Sequence, residues 1–146
     1  CSPAYVRSVV VPAVARGRAR AGKSLEGFEV VAAVPVALTG DAGAATLLFK
    51  EELTRYLLLP FYRTMLGASG FGGDLAAYDR DRARRSSPAP AVPDPLGAAL
   101  GGIGDRRVIH EYVSAYRQAG VTLPAIRPIG FPDAPHYRPT LEALAS

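Results

Sequence analysis

The stretch Phe28-Glu29-Val30-Val31-Ala32-Ala33-Val34-Pro35-Val36-Ala37-Leu38 decides the fold of this chain. It is a nearly continuous apolar run, rich in β-branched residues, and it ends at Thr39-Gly40-Asp41. Such a run predicts a parallel strand that is buried on both faces. Pro35 has no backbone N–H to give to a sheet, so we expect it late in the strand or at a bulge.

An amphipathic helix is predicted before this strand. Ser2 and Pro3 form an N-cap and first-turn pair, and apolar residues then recur at helical spacing as far as Gly22. We expect a bend or an interruption near Pro12, because proline removes a helical hydrogen bond.

A long helix is predicted directly after the strand. Asp41 can cap it, and its broad apolar face indicates that most of its side chains belong to the core. Pro60 is expected to kink the helix before it continues to Gly67 or Gly70.

The second half of the chain alternates loops and short helices before a second strand. Positions rich in Gly, Pro and Asp predict the boundaries. First we expect a hinge-like loop at Phe71-Gly72-Gly73, a helix capped by Asp74 and ending near Arg84, and a Pro-rich connector at residues 86–93. Two helices follow, a short one at residues 95–100 and one that is capped by Asp105 and ends at Ala119-Gly120. The chain then forms a strand at residues 123–129 and a last short helix after Pro139.

The element order predicts an α/β fold with two parallel strands and mostly helical crossovers. Two parallel strands leave both sheet edges open and cannot cover their own faces, so either the helices form a self-sufficient bundle or further strands are missing. At 146 residues the chain is too short for a complete (β/α)₈ barrel, which needs roughly 250 residues.

Composition favours a folded, soluble, cytoplasmic protein. The chain is 49% hydrophobic and 21% charged, and its longest apolar run, residues 30–38, is too short for the roughly 18 to 20 residues that cross a bilayer. The single cysteine, Cys1, cannot form an internal disulfide. The chain opens with Cys1 and not with Met, and we therefore expect that its start is a cut. No secretory signal is visible, because no apolar segment follows a basic one near the start.

The net charge of +4 is weak support for nucleic-acid binding. Of the 17 basic residues 15 are Arg, a bias that GC-rich coding produces together with abundant Ala, Gly and Pro. The Arg residues cluster at positions 16–20 and 80–85, and Asp residues partly neutralise the second cluster. The alternative left open is a non-catalytic helical module that binds an acidic partner or nucleic acid through these clusters.

No catalytic constellation and no metal site is predicted from the motifs. His110 and His136 lack ligand partners at metal-binding spacing, and Ser86 and Ser87 lie outside any nucleophile-elbow motif. An aromatic stripe remains, in which Tyr56, Tyr62, Met65 and Phe71 close a helix. It packs in the core or, alternatively, forms the wall of an apolar ligand pocket with a Gly-rich lid.

Several segments together resemble the luciferase-like monooxygenases. Residues 3–7 and 28–45 are similar to the seventh strand of that family and its flanking helices. Residues 53–66, LTRYLLLPFYRTML, followed by Gly70-Phe71, resemble a helix of the deazaflavin-dependent branch. Ile103-Gly104-Asp105, and then residues 119–129, resemble the last helix and the eighth strand.

The resemblance implies that residues 1–146 are the C-terminal part of a TIM-like (β/α)₈ barrel, with an insert or linker at about residues 72–93. The family uses FMN or the deazaflavin coenzyme (F420) for hydride transfer or monooxygenation of small organic substrates, so the resemblance implies an oxidoreductase. The cofactor would be bound mainly by residues absent from this chain, which would then be incomplete as an enzyme. A piece that assembles with itself is a further alternative.

The implied site lies at the carboxyl ends of the strands. By this geometry the candidate cofactor-binding positions are Thr39, Gly40 and Gly130. The candidate substrate-binding positions are Tyr62, Phe71 and Phe131, and no residue of the chain is assigned a catalytic or a metal-binding role.

Overall fold

The sheet has three parallel strands in this computed structural model, which describes residues 1–145. The strands are β1 (Val31–Leu38), β2 (Gly102–Gly104) and β3 (Leu123–Pro128), and their spatial order is β2-β1-β3. The α/β class and the parallel pairing of the two predicted strands are confirmed. The count of two strands is wrong, because β2 adds a third strand beside the carboxyl half of β1.

β2 carries little local signal for a strand. It is three residues long and two of them are glycine, which has low strand propensity. Gly102 is needed for packing, since a Cβ there would lie 2.7 Å from Cβ of Tyr112. The strand forms because this glycine lets the backbone approach both the tyrosine and β1, where Val36 pairs with Gly102.

Pro35 occupies the middle of β1 and not its end, and the pairing register shows why the sheet tolerates it. The carbonyl of Val36 accepts from the Ile129 N–H, so the even-numbered residues of β1 direct their backbone groups toward β3. Pro35 therefore faces the opposite side, where β2 begins only opposite Val36. No ladder hydrogen bond is lost at the proline.

Eight helices surround the sheet in residues 1–145. They are α1 (Pro3–Tyr5), α2 (Val11–Arg20), α3 (Ala42–Tyr56), α4 (Pro60–Leu66), α5 (Gly72–Arg82), α6 (Asp94–Leu100), α7 (Arg106–Gln118) and α8 (Tyr137–Leu144). A π-helical turn at Val6–Val10 joins α1 to α2, and a second one at Gly67–Phe71 joins α4 to α5.

The three predicted polar N-caps that begin α1, α3 and α7 are confirmed. Ser2 Oγ accepts the backbone N–H of Tyr5, and the carboxylates of Asp41 and Asp105 accept the N–H groups of Ala44 and Val108. Each side chain satisfies an N–H that the helix itself leaves without a partner.

Three predicted boundaries are wrong. The hinge-like loop at Phe71-Gly72-Gly73 is helical, because α5 begins at Gly72 and Asp74 lies inside its first turn. The chain changes direction at Gly70 instead, where φ is +92°. α8 begins at Tyr137 and includes Pro139, whose fixed φ suits the first turn of a helix.

The two faces of the sheet belong to two separate cores. Side chains alternate along a strand, so Ala37 lies on one face of β1 while Val34 and Val36 lie on the other. The first core contains Ala37, Ala45, Phe49, Leu53, Leu57, Leu66, Leu75, Tyr78, Ala91, Val92, Leu96, Leu100 and Ile129. The second contains Val6, Val34, Val36, Ile109, Val113, Tyr116, Ala119, Val121 and Ala143.

The Pro-rich connector contributes to the first core. It contains a short 3₁₀ helix at Ala89–Ala91, and Ala89, Ala91 and Val92 are all buried. Residues 72–93, expected as an insert or linker, therefore supply both α5 and part of the packed interior.

One face of the sheet is open over its amino half. Val31 is 56% exposed and Leu123 is 47% exposed, and Ala33 and Ala125 beside them are also exposed. These residues pair across β1 and β3, and they share the face that carries Ala37. None of the helices in residues 1–145 is long and apolar enough to span a membrane.

Candidate functional site

The carboxyl end of β3 is joined to α3 by one carboxylate. Glu52 Oε2 accepts a hydrogen bond of 2.5 Å from Nη1 of Arg127, and Oε1 accepts one of 2.8 Å from the backbone N–H of Gly130. The side chains of Glu52 and Arg127 are 21% and 34% exposed. Both oxygens of Glu52 are thus used, and they fix the strand end against the helix.

The periodicities of the two elements bring these residues together. Glu52 lies on the α3 face that also carries Phe49 and Leu53 of the first core. Arg127 pairs with Pro35, on the sheet face that α3 covers. A charged residue in an otherwise apolar strand needs a partner of opposite charge, and Glu52 supplies it.

Gly130 turns the chain away from the strand in a conformation that favours glycine. Its φ is +87°, and a Cβ there would lie 3.5 Å from Cβ of Ala134 and 3.6 Å from Nε2 of His136. Nε2 of His136 is 2.8 Å from the carbonyl oxygen of Ile129. The loop after β3 is therefore held from both sides, by Glu52 and by His136.

A polar cavity of about 250 Å³ opens at this strand end. Glu51, Arg55 and Phe131 line it together with Glu52 and Arg127. Phe131 is 64% exposed. The carboxylate of Glu51 and the guanidinium of Arg55 form no ion pair within residues 1–145, so the cavity offers one free charge of each sign beside the Glu52–Arg127 pair.

An apolar slot of about 130 Å³ adjoins the polar cavity. Its walls come from the first core and from β1, and include Ala33, Pro35, Phe49, Leu53, Leu57, Met65, Leu66 and Leu100. Tyr56 and Tyr62 close one side, with ring centroids 4.9 Å apart in an edge-to-face arrangement. Tyr56 and Arg127 line both cavities, so they form the boundary between them.

A wider groove of about 950 Å³ runs along β2 between α3, α6 and α7. Its charged side chains include Lys50, Asp94 and Glu111, and Lys50 Nζ donates to Asp94 at 2.5 Å. This hydrogen bond, together with the charge of Lys50, lowers the pKa of Asp94. Burial raises the pKa of Tyr112, whose hydroxyl donates to the carbonyl of Ala99.

The two Arg clusters are partly tied to other groups. In the first, Arg18 donates to the carbonyl of Ser24 and lies 4.4 Å from the ring centroid of Phe28. In the second, Nη2 of Arg85 lies 3.9 Å from Oδ2 of Asp81. Neither cluster borders the two cavities at the strand end.

Residues 1–123 match the family model of luciferase-like monooxygenases. The chain belongs to this family. Comparisons with curated proteins and with solved structures gave no significant match. Membership supports an oxidoreductase-type function and agrees with the resemblance seen in the sequence.

In this luciferase-like chain the predicted site residues separate into two groups. Gly130 and Phe131 line the polar cavity, and Tyr62 lines the apolar slot beside it. Phe71 packs against the first core and borders neither cavity. Thr39 and Gly40 also lie away from both cavities. Oγ1 of Thr39 accepts the backbone N–H of Asp41, and the backbone N–H of Thr39 donates to the carbonyl of Gly104.

Sequence reasoning missed the residues that organise the site. A glutamate in a predicted helix, such as Glu52, has a solvated helix face as its usual place, and no motif assigns a role to Arg127. The available signal was the charge of Arg127 within the apolar run of the second strand. Its partner could not be found by spacing, because Glu52 is 75 positions away in the chain.

The cavities of this luciferase-like chain do not fit a whole flavin or deazaflavin. Both cavities at the strand end are smaller than the roughly 300 Å³ at which pockets for cofactor-sized ligands begin. The wide groove is large enough, but its one lysine is bound to Asp94 and Glu111 adds a negative charge. A phosphate group would find no free cation among the groove-lining residues.

Proposed function

We propose that β1 and β3 are the seventh and eighth strands of a luciferase-like (β/α)₈ barrel, in an oxidoreductase that uses a flavin or a deazaflavin. The observation that carries the proposal is that both cavities meet at Arg127, at the carboxyl end of β3. Active sites of such barrels lie at the carboxyl ends of the strands.

The two faces of the sheet support a barrel wall. In a barrel one face of each strand lines the interior and the other packs against the outer helices. α7 and the second core cover the face with Val34 and Val36, as an outer helical layer would. The opposite face packs against α3 and the first core over its carboxyl half. Over its amino half, with Val31 and Ala33, it is apolar and open, as expected of an inner face that other strands complete.

In this proposal the chain supplies the substrate side of the active site. The cofactor would bring hydride transfer or oxygen activation, and residues outside this chain would hold most of it. The apolar slot would bind the body of a small organic substrate and exclude water from it. Arg127 would orient a polar group of the substrate at the entrance, and Phe131 would cover the outer side.

The proposal is tested by binding titrations that compare the 146-residue chain with a version extended upstream. Each protein is titrated with FMN and with the deazaflavin coenzyme while cofactor fluorescence is recorded. We expect binding of one of these cofactors by the extended protein and none by the shorter chain, because the two cavities at the strand end are too small for either and the wide groove offers no free cation to a phosphate group.

Two results would overturn the proposal. If a folded extended protein bound neither cofactor, a redox role would be untenable. If the 146-residue chain alone bound one of them as tightly as the extended protein, the assignment as part of a barrel would fail. The expected small-molecule substrate remains a prediction, as does the possible homo-oligomer.

A further inference from the structure

The guanidinium of Arg127 has unused donors at the entrance of the apolar slot. Of its three nitrogens, only Nη1 donates to a carboxylate, at 2.5 Å from Glu52. Nε and Nη2 have no hydrogen-bond partner within residues 1–145, and a guanidinium carries five N–H groups in total. The side chain borders both cavities, so these donors are available to a ligand that enters the slot.

Glu52 disfavours a negatively charged ligand beside Arg127. Its carboxylate already neutralises Arg127, and it is the less exposed of the two side chains. A second carboxylate beside Arg127 would lose hydration and would meet the negative charge of Glu52. A neutral acceptor, such as a carbonyl oxygen, can take the free N–H groups without either penalty.

The volume of the slot limits the size of the apolar part of the ligand. Its volume is about 130 Å³, and its walls are mostly aliphatic and aromatic side chains. An apolar cavity of about 150 Å³ in another protein holds one benzene molecule. The slot therefore has room for one ring, and the edge-to-face pair of Tyr56 and Tyr62 offers aromatic surface beside it.

We propose that the slot and Arg127 bind an uncharged molecule with one ring-sized apolar body and one carbonyl oxygen. The ring occupies the slot, and the carbonyl accepts hydrogen bonds from Nε or Nη2 of Arg127. This inference rests on the proposed function, because it specifies the substrate class of the same site.

The test uses three probes of similar size on the full chain without any cofactor. Acetophenone carries a ring and a carbonyl, ethylbenzene lacks the acceptor, and benzoate carries a charge. Binding is followed by NMR through the methyl groups of Met65 and Leu53 and the Nε–H of Arg127. We expect acetophenone to bind about tenfold more tightly than either of the others.

Two variants separate recognition from folding. Arg127→Met removes the donors, and acetophenone and ethylbenzene should then bind equally. Glu52→Gln keeps an acceptor for the Gly130 N–H but removes the negative charge, so benzoate should bind about tenfold more tightly than to the wild type. Glu142→Gln, at an exposed pair on α8, is the matched control and should leave all three affinities unchanged.

The proposal is overturned if benzoate binds the wild type as tightly as acetophenone does. It is equally overturned if Glu52→Gln leaves benzoate binding unchanged, or if acetophenone leaves the Met65 and Leu53 signals unmoved. Because no flavin or deazaflavin is present, these results are independent of the cofactor titrations. The carbonyl preference can therefore fail while cofactor binding succeeds, and the reverse is also possible.

Discussion

Replacing Glu52 by alanine should destabilise the fold much more than replacing an exposed glutamate. The substitution removes two hydrogen bonds of a carboxylate, one from Arg127 and one from the Gly130 N–H. Hydrogen bonds to charged groups contribute about 1.5–3 kcal/mol each. Arg127 is 34% exposed, so water replaces part of the loss. We expect the free energy of unfolding to fall by about 2 kcal/mol in total.

Urea denaturation measures this cost, with Glu142→Ala as the control. Glu142 pairs with Arg138 on the exposed face of α8, where an ion pair contributes about 0.3–0.5 kcal/mol. With a slope of about 2 kcal/mol per molar urea, the midpoint of Glu52→Ala should fall by about 1 M and that of the control by about 0.2 M. Equal midpoints for the two variants would refute the structural role assigned to Glu52.

Three further outcomes follow from the geometry. Gly130→Ala should lower the free energy of unfolding, measured by thermal denaturation, by about 1–2 kcal/mol, because φ of Gly130 is +87°. Gly40→Ala should leave it nearly unchanged, because no atom lies within 4 Å of the new Cβ. The backbone N–H of Leu38 donates to the buried Thr140 hydroxyl at 2.8 Å. Thr140→Val should therefore lower the free energy of unfolding by about 1–3 kcal/mol and speed hydrogen exchange at the Leu38 amide. Burial raises the pKa of Tyr112 above its ordinary 10.0, so the contribution of this tyrosine to stability should persist below pH 10 and be lost as the pH rises further. The NMR signals of the Tyr112 ring should then change to those of tyrosinate only together with unfolding.

Elements whose signals are local could be predicted from the sequence. The caps Ser2, Asp41 and Asp105 each act on an N–H three residues away, so neighbouring residues suffice to identify them. β1 and β3 are apolar runs long enough to be recognised without knowledge of their partners.

Features that depend on distant partners could not be predicted. β2 has almost no strand propensity, and it exists because Gly102 can approach Tyr112 and pair with Val36. The carboxylate of Glu52 resembles any exposed helical glutamate until β3 brings Arg127 against it. In the site, only residues that follow a strand end directly, Gly130 and Phe131, could be assigned to the polar cavity from their position in the sequence.

The Glu52–Arg127 pair should contribute more to the orientation of Arg127 than to stability as a pair. Replacing both members of a half-buried ion pair by groups of similar shape is often neutral, whereas removing one member leaves the other uncompensated. The double variant Glu52→Gln with Arg127→Met retains an acceptor for the Gly130 N–H and fills the same space. We expect its free energy of unfolding in urea to lie within about 1 kcal/mol of the wild type, while its preference for acetophenone over ethylbenzene disappears. A loss of stability as large as that of Glu52→Ala would instead mean that the pair serves the fold, and a retained preference would mean that Arg127 does not select the ligand.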